Sequence, residues 1–227
     1  MADNGRGVLL DGDGTLVDSN DLHAHAWTDA LTEQDIHVKF ADVRRAVGMG
    51  GDHLLPQVAH IEKDSLQGEI ISKRRGEIFR TKYLPQVQPF PNVRPLLERM
   101  KARGLTRMVA SSSDEDEVRA LLQIAGADDL IDAWVTVKDL GQSKPAPAPV
   151  EVALHKSSLP PEQALMLGDT PYDIEAASKA GVRTLALRCG GWGDADLKGA
   201  LALYDNPADL LARFAQSPLG TIHSNRE

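Results

Sequence analysis

The chain is 227 residues long, with 42% hydrophobic residues and 33 acidic against 25 basic side chains, a formal net charge of −8. That apolar content excludes a disordered chain, and the acidic balance argues against nucleic acid or an anionic membrane as a broad partner, while allowing a local basic pocket for a small anion. A single cysteine, Cys189, excludes an internal disulfide, the opening "MADNGRG" lacks the basic-then-apolar pattern of a secretory leader, and no run reaches the roughly 18 apolar residues of a membrane span, so a cytoplasmic globular protein is expected.

The first element is "GVLL" (Gly7–Leu10), a short unbroken apolar run that suits a strand covered on both faces. It ends in "DGDGT", which places Asp11 and Asp13 on either side of Gly12. Two carboxylates so close to a buried strand end repel and must be desolvated, so the pair needs a cation or a chemical task. From about Asp18 to Gln88 the patterns are helical, including "LHAHAWTDAL", "ADVRRAV", "DHLLPQVAH" and "SLQGEIISKRRGEIFRTKYL". Residues 18–88 are therefore expected to form a small all-helical cap. Its "VGMGGDHLLP" stretch, with Gly48, Gly50 and Gly51, lacks the Lys-Ser/Thr of a nucleotide P-loop. Arg44 and Arg45 read as a solvated face. The proline-rich "LPQVQPFPNVRP" marks the return to the main domain.

Strands and helices then alternate. "VRPLLERMKARG" has Val93, Leu96, Leu97 and Met100 at helical spacing and stops at Gly104. "TRMVA" (Thr106–Ala110) reads as a strand ending in Ser111, Ser112 and Ser113, with Ser113 expected to cap the helix of "DEDEVRALLQIAG". "AWVTV" (Ala133–Val137) is the next strand, followed by Lys144 in the loop "GQSKPAPAP". "ALML" (Ala164–Leu167) leads to Gly168 and Asp169. "TPYDIEAASKAG" then predicts a helix with Thr170 as N-cap, Pro171 at its first position and Gly181 at its end. "RTLAL" (Arg183–Leu187) is the last clear strand, and residues 219–227 read as a flexible tail. The expected fold is α/β: a Rossmann-like doubly wound parallel sheet from residues 1–17 and 89–218, interrupted by the helical cap.

In such a sheet, ligands bind outside the carboxyl ends of the strands. Three strand ends would deliver Asp11 and Asp13, the serine cluster, and Asp169 to one rim, with Lys144 on a nearby loop. The three aspartates suit a hard, oxygen-seeking cation such as Mg²⁺. Unit charges roughly 4 Å apart interact by about 4 kcal/mol at an effective dielectric near 20, so carboxylates and a phosphate could not gather there without cations. Ser111 can donate to a phosphate oxygen, and backbone N–H groups near Gly12 and Ser112 can form an anion cradle.

The segments "DGDGTLVDS", "VASSS", "SKPAP" and "LGDTPYDIEAA" resemble, in order and spacing, the four motifs of haloacid dehalogenase-like hydrolases. The similarity is to phosphatase-type members with a helical cap after the first strand, the group that includes phosphoglycolate phosphatases and β-phosphoglucomutases. The resemblance implies a Mg²⁺-dependent phosphatase acting on a small phosphorylated metabolite such as phosphoglycolate or a sugar phosphate. Asp11 would be the nucleophile and Asp13 the general acid and base. Asp11, the Asp13 carbonyl and Asp169 would hold the metal, with Asp173 supporting it through water, and Ser111 and Lys144 would grip the phosphoryl group. It also implies that Gly48, Gly50 and Gly51 belong to a cap specificity loop, while His23 could face the substrate. A phosphosugar mutase and a non-catalytic phosphate-binding regulatory module are the alternatives; a dehalogenase would not need Asp13 or the acidic metal site. Monomer and homodimer both fit.

Overall fold

The computed structural model describes residues 6–221. Its strands are β1 (Arg6–Leu10), β2 (Val17–Asp18), β3 (Gln88–Pro89), β4 (Leu105–Ala110), β5 (Ala133–Val135), β6 (Ala164–Gly168), β7 (Arg183–Leu187) and β8 (Ala202–Tyr204). Six of them form a parallel sheet in the order β5-β4-β1-β6-β7-β8. The order reverses about β1, which is the expected doubly wound arrangement. Along β1, Val8 and Leu10 join one apolar cluster while Leu9 joins another, so alternate side chains feed cores on opposite faces of the sheet. Both faces are covered, which is why this strand reads as a continuous apolar run.

The helices are α1 (Asn20–Thr32), α2 (Phe40–Ala46), α3 (Gly51–Ala59), α4 (Leu66–Ile78), α5 (Val93–Ala102), α6 (Glu115–Ile124), α7 (Ala148–Ser157), α8 (Pro171–Lys179), α9 (Pro207–Ala212) and α10 (Pro218–Thr221). The first four form the helical segment between β1 and β4, packed around Ala30, Leu31, Leu54, Leu55, Ile71 and Phe79. β2 and β3 pair antiparallel at the two ends of this segment, with Val17 opposite Pro89 and Asp18 opposite Gln88. A two-residue ribbon carries no periodicity, so neither strand is visible in the sequence. The buried stripe of α5 is Val93, Leu96, Leu97 and Met100, as its spacing predicts. α8 begins with Thr170, whose hydroxyl accepts the Asp173 N–H while the Asp173 carboxylate accepts the Thr170 N–H.

Four expectations are corrected. Asp114, not Ser113, caps α6: its side chain accepts the Glu117 N–H at 2.9 Å, because a carboxylate at this position reaches the orphan donor directly. The strand read as Ala133–Val137 pairs only as far as Val135, since Thr136 forms a reciprocal cap with Asp139. The edge strand β8 was not expected; it has only three residues and is partly exposed. Finally, the tail expected over 219–227 does not begin at 219. Leu219 is fully buried within α10, and residues 222–227 lie outside the described part. No helix among the described residues is long and apolar enough to cross a membrane.

Candidate active site

β4, β1 and β6 are neighbours, and the residues immediately after them are Ser111, Asp11 and Asp169. The sheet register thus brings distant chain segments to one edge. Lys144, on the loop between β5 and α7, is 2% exposed despite its charge, and its ammonium pairs with Asp11 and with Asp173 Oδ1, the latter at 2.7 Å. A lysine this deep requires charged partners.

Asp11, Asp169 and Asp173 are all buried, with carboxylate oxygens within 4.8 Å of one another. Burial pushes Asp11 up to about 7; Lys144 opposes the rise, and Asp173 and Asp13 add to it. Burial likewise raises Asp169 well above the ordinary carboxylate range, reinforced by Asp11 and Asp173 and opposed by hydrogen bonds from Asn20 and Thr15. Burial alone would lower Lys144, yet Asp11 and Asp173 outweigh it and keep the ammonium charged. Three carboxylates against one ammonium leave a formal charge of −2. That deficit matches one divalent cation, and the donors are the hard oxygens that Mg²⁺ prefers.

Asp169 is fixed from both sides. Thr15 Oγ1 donates to its Oδ1 at 3.1 Å and Asn20 Nδ2 to its Oδ2 at 2.8 Å. Gly14 and Gly190 press against the same carboxylate so closely that a Cβ at either position would collide with it. Asp173 has Oδ2 engaged by the Thr170 N–H and hydroxyl and Oδ1 paired with Lys144. It is therefore placed to orient Lys144 beside the Asp11 and Asp169 carboxylates.

Asp13 has a different environment. Its Oδ1 accepts from the Ser19 hydroxyl at 2.5 Å and lies 2.7 Å from His23 Nε2. Burial raises this carboxyl, but His23, Ser19 and Arg75 overcome the penalty and hold it at about 2. His23 Nδ1 lies 2.8 Å from Arg75 Nη2, a group that can only donate, so Nδ1 accepts and Nε2–H is the donor to Asp13. The ring stacks on Phe79 at 3.9 Å. Arg75 in turn pairs with the buried Glu117 at 3.0 Å. Asp13, His23 and Glu117 could by spacing hold a metal, but the Arg75 guanidinium already bonds both His23 and Glu117.

Asp11, Asp13, His23, Arg75 and Lys144 line a cavity of about 200 Å³ between the sheet edge and the helical segment, which Ser111 and Ser112 also face. Ser111 Oγ accepts the Ser113 N–H at 3.0 Å, which leaves its own proton free to donate. The Ser112 hydroxyl has no partner, and the backbone N–H groups of Gly12, Asp13 and Ser112 have no acceptor among the described residues. Gly48, Gly50 and Gly51 line the opposite wall. Arg44 departs from the expected solvated face: it pairs with Asp21 at 2.5 Å and donates to the Gly190 carbonyl at 2.6 Å. Arg45, paired with Asp196, is exposed as expected.

The model of the haloacid dehalogenase-like hydrolase family matches residues 8–187. This chain belongs to that family. Phosphoglycolate phosphatase of Aquifex aeolicus is 33% identical over 214 residues, covering 91% of this chain and 95% of that protein. Pyrophosphatase PpaX of Oceanobacillus iheyensis is 27% identical over 182 residues, covering 80% and 83% respectively. The crystal structure of a hydrolase from Pseudomonas syringae superimposes with a TM-score of 0.87 at 27% identity, covering 93% of this chain and 98% of that one. As a member of this hydrolase family the chain is an enzyme. The same site also contains residues that the sequence reading did not select: Thr15, Ser19 and Asn20 beside the aspartates, and Lys63, Arg75 and Glu117 further away. Thr15 and Ser19 lie inside the segment "DGDGTLVDS" but were assigned no role from it, and Asn20, Lys63, Arg75 and Glu117 belong to no motif. Their signal is polar or charged character at positions that turn inward, which only the fold reveals.

Proposed function

We propose that this hydrolase is a Mg²⁺-dependent phosphatase that cleaves a small phosphate monoester through an aspartyl-phosphate on Asp11. The observation that supports this reading is the convergence of Asp11, Asp13, Ser111 and Lys144 on one cavity, with the buried Asp169 carboxylate within 4.8 Å of that of Asp11. Asp11, the Asp13 backbone carbonyl and Asp169 would hold the metal, with Asp173 one water away. When bound, Mg²⁺ neutralises the carboxylates and the phosphoryl oxygens.

Lys144, Ser111 and the free N–H groups of Gly12, Asp13 and Ser112 orient the phosphoryl group. An Asp11 carboxylate oxygen attacks phosphorus as the bond to the ester oxygen breaks, and Asp13 gives its proton to the departing alcohol. Water then attacks the same phosphorus and passes a proton to Asp13, which releases inorganic phosphate and restores the Asp11 carboxylate. His23 and Ser19 hold Asp13 ionised, the state needed for this second step. A phosphate dianion arriving beside it raises its proton affinity, the state needed for the first. Uncatalysed monoester hydrolysis is slow enough that enzymes supply up to ~10²¹-fold, chiefly by fixed charges aimed at the phosphoryl oxygens.

Residues 18–88 act as the cap that closes over this cavity and excludes bulk water. The names of the Aquifex and Oceanobacillus relatives point to compact substrates, and the cavity is smaller than the roughly 300–1,000 Å³ of sites for drug-sized ligands. The test is phosphate release from p-nitrophenyl phosphate with Mg²⁺ and with a chelator. Asp11→Asn is expected to lower turnover roughly a thousandfold or more. An inactive wild type, or an Asp11→Asn enzyme equal to wild type, would overturn the reading.

A further inference from the structure

The cavity wall contributed by residues 18–88 carries Lys63 and Arg75 and no carboxylate, whereas the acids lining the cavity, Asp11, Asp13 and Asp114, all lie outside that segment. The two cations are not equivalent. Arg75 is neutralised by Glu117 at 3.0 Å and lies over the faces of Trp27 and Phe79. Lys63 is half-buried and makes no ion pair or hydrogen bond among the described residues. Its backbone is nevertheless fixed. Ser65 donates its hydroxyl to the Glu62 carbonyl at 2.6 Å and caps α4 by accepting the Gly68 N–H, and Gly68 packs so closely on Lys63 that a Cβ there would strike the Lys63 backbone. Two more donors on this wall are unsatisfied, the Ser72 hydroxyl and Arg75 Nε. A half-buried ammonium with no ion-pair partner among the described residues, beside two unpaired donors, forms a surface complementary to an anion.

We propose that Lys63, assisted by Ser72 and Arg75, binds a second anionic group on the leaving side of the substrate, so that the enzyme selects small phosphate esters whose alcohol portion carries a carboxylate or a further phosphate. This rests on the phosphatase reading for the scissile phosphate, which is held on the opposite wall by Ser111 and Lys144. Neutral alcohols of similar size leave the Lys63 ammonium without a partner and are bound less well. Sugar phosphates whose leaving side bears only hydroxyls are disfavoured for the same reason.

The test compares phosphoglycolate with phosphoglycolamide, which has nearly the same shape and lacks the second charge. Turnover of both esters with Mg²⁺ is measured in the wild type, Lys63→Met and Lys63→Arg. Calorimetric binding of both is measured in Asp11→Asn with and without Lys63→Met. The expected result is a preference of roughly ten- to a hundredfold for the charged ester, seen mainly in KM, lost in Lys63→Met and kept in Lys63→Arg. The binding ratio in Asp11→Asn should show the same dependence on Lys63. Equal use of the two esters by wild type, or an undiminished preference in Lys63→Met, would overturn the proposal. If neither ester is hydrolysed while the Lys63-dependent binding ratio persists, the hydrolytic reading falls and the anion subsite stands.

Discussion

Asp169 owes its position to neighbours that contribute no chemistry. Thr15 and Asn20 hold its two oxygens, and Gly190 lies against the carboxylate with no room for a side chain. Gly190 has no left-handed backbone to protect, so Gly190→Ala tests this contact without adding backbone strain. The substitution is expected to displace Asp169, raise the Mg²⁺ concentration for half-maximal activity roughly tenfold or more, and lower the melting temperature through overpacking, with added Mg²⁺ recovering less of it than in wild type. An unchanged Mg²⁺ requirement would separate Gly190 from the metal site. This kind of residue marks where sequence reading stops. Asp11, Asp13, Ser111, Lys144 and Asp169 are legible because each falls in a motif beside a strand end or a proline loop. Gly190 and Asn20 are 170 positions apart, yet Asn20 Nδ2 donates to the Gly190 carbonyl at 3.1 Å. Nothing in the local spacing of either announces that contact.

At the scale of elements, the helical segment is tied to the sheet edge by a few polar contacts made from its own side chains. Asp52, in the first turn of α3, accepts the backbone N–H of Ser143 at 2.9 Å, and Ser143 precedes Lys144. The contact links the helical segment to the loop that carries Lys144, the lysine proposed to hold the phosphoryl group. Under the proposed closure of residues 18–88 over the cavity, Asp52→Ala is expected to disfavour the closed arrangement and raise KM roughly tenfold, with a smaller effect on kcat. A fall in kcat at constant KM would instead place Asp52 in the chemical step. The alternation of apolar runs with helical patterns made β1, β4, β6 and β7 visible, because strands buried on both faces need continuous apolar sequence. It could not reveal β2, β3 or β8, whose two or three residues are too short to carry a period. The helical character of the stretch between β1 and β4 was nonetheless legible, since its patterns carry helical spacing and α1 to α4 fall within it.

For the whole molecule, folding concentrates acids that the unfolded chain keeps apart. Asp11 rises to about 7 and Asp169 also rises, so between about pH 4 and pH 7 the folded state binds protons that the unfolded state has released. The contribution of these groups to stability therefore falls as pH increases through that window. Asp13, held at about 2, acts in the opposite sense and loses its contribution only as pH falls below about 4. Mg²⁺ would supply the missing charge at neutral pH, whereas protons occupy the same oxygens in acid. The rise in melting temperature on adding millimolar Mg²⁺ is accordingly expected to be larger at about pH 7.5 than at about pH 5. A shift independent of pH would show that the ion binds elsewhere. The central claim, that Asp11 itself receives the phosphoryl group, is tested most directly by acid-quenching the enzyme during turnover of a ³²P-labelled ester and mapping the label to a residue. Radioactive phosphate bound at Asp11, and absent from the Asp11→Asn protein, is the expected result; full phosphate release with no labelled protein, or with label on another residue, would contradict it.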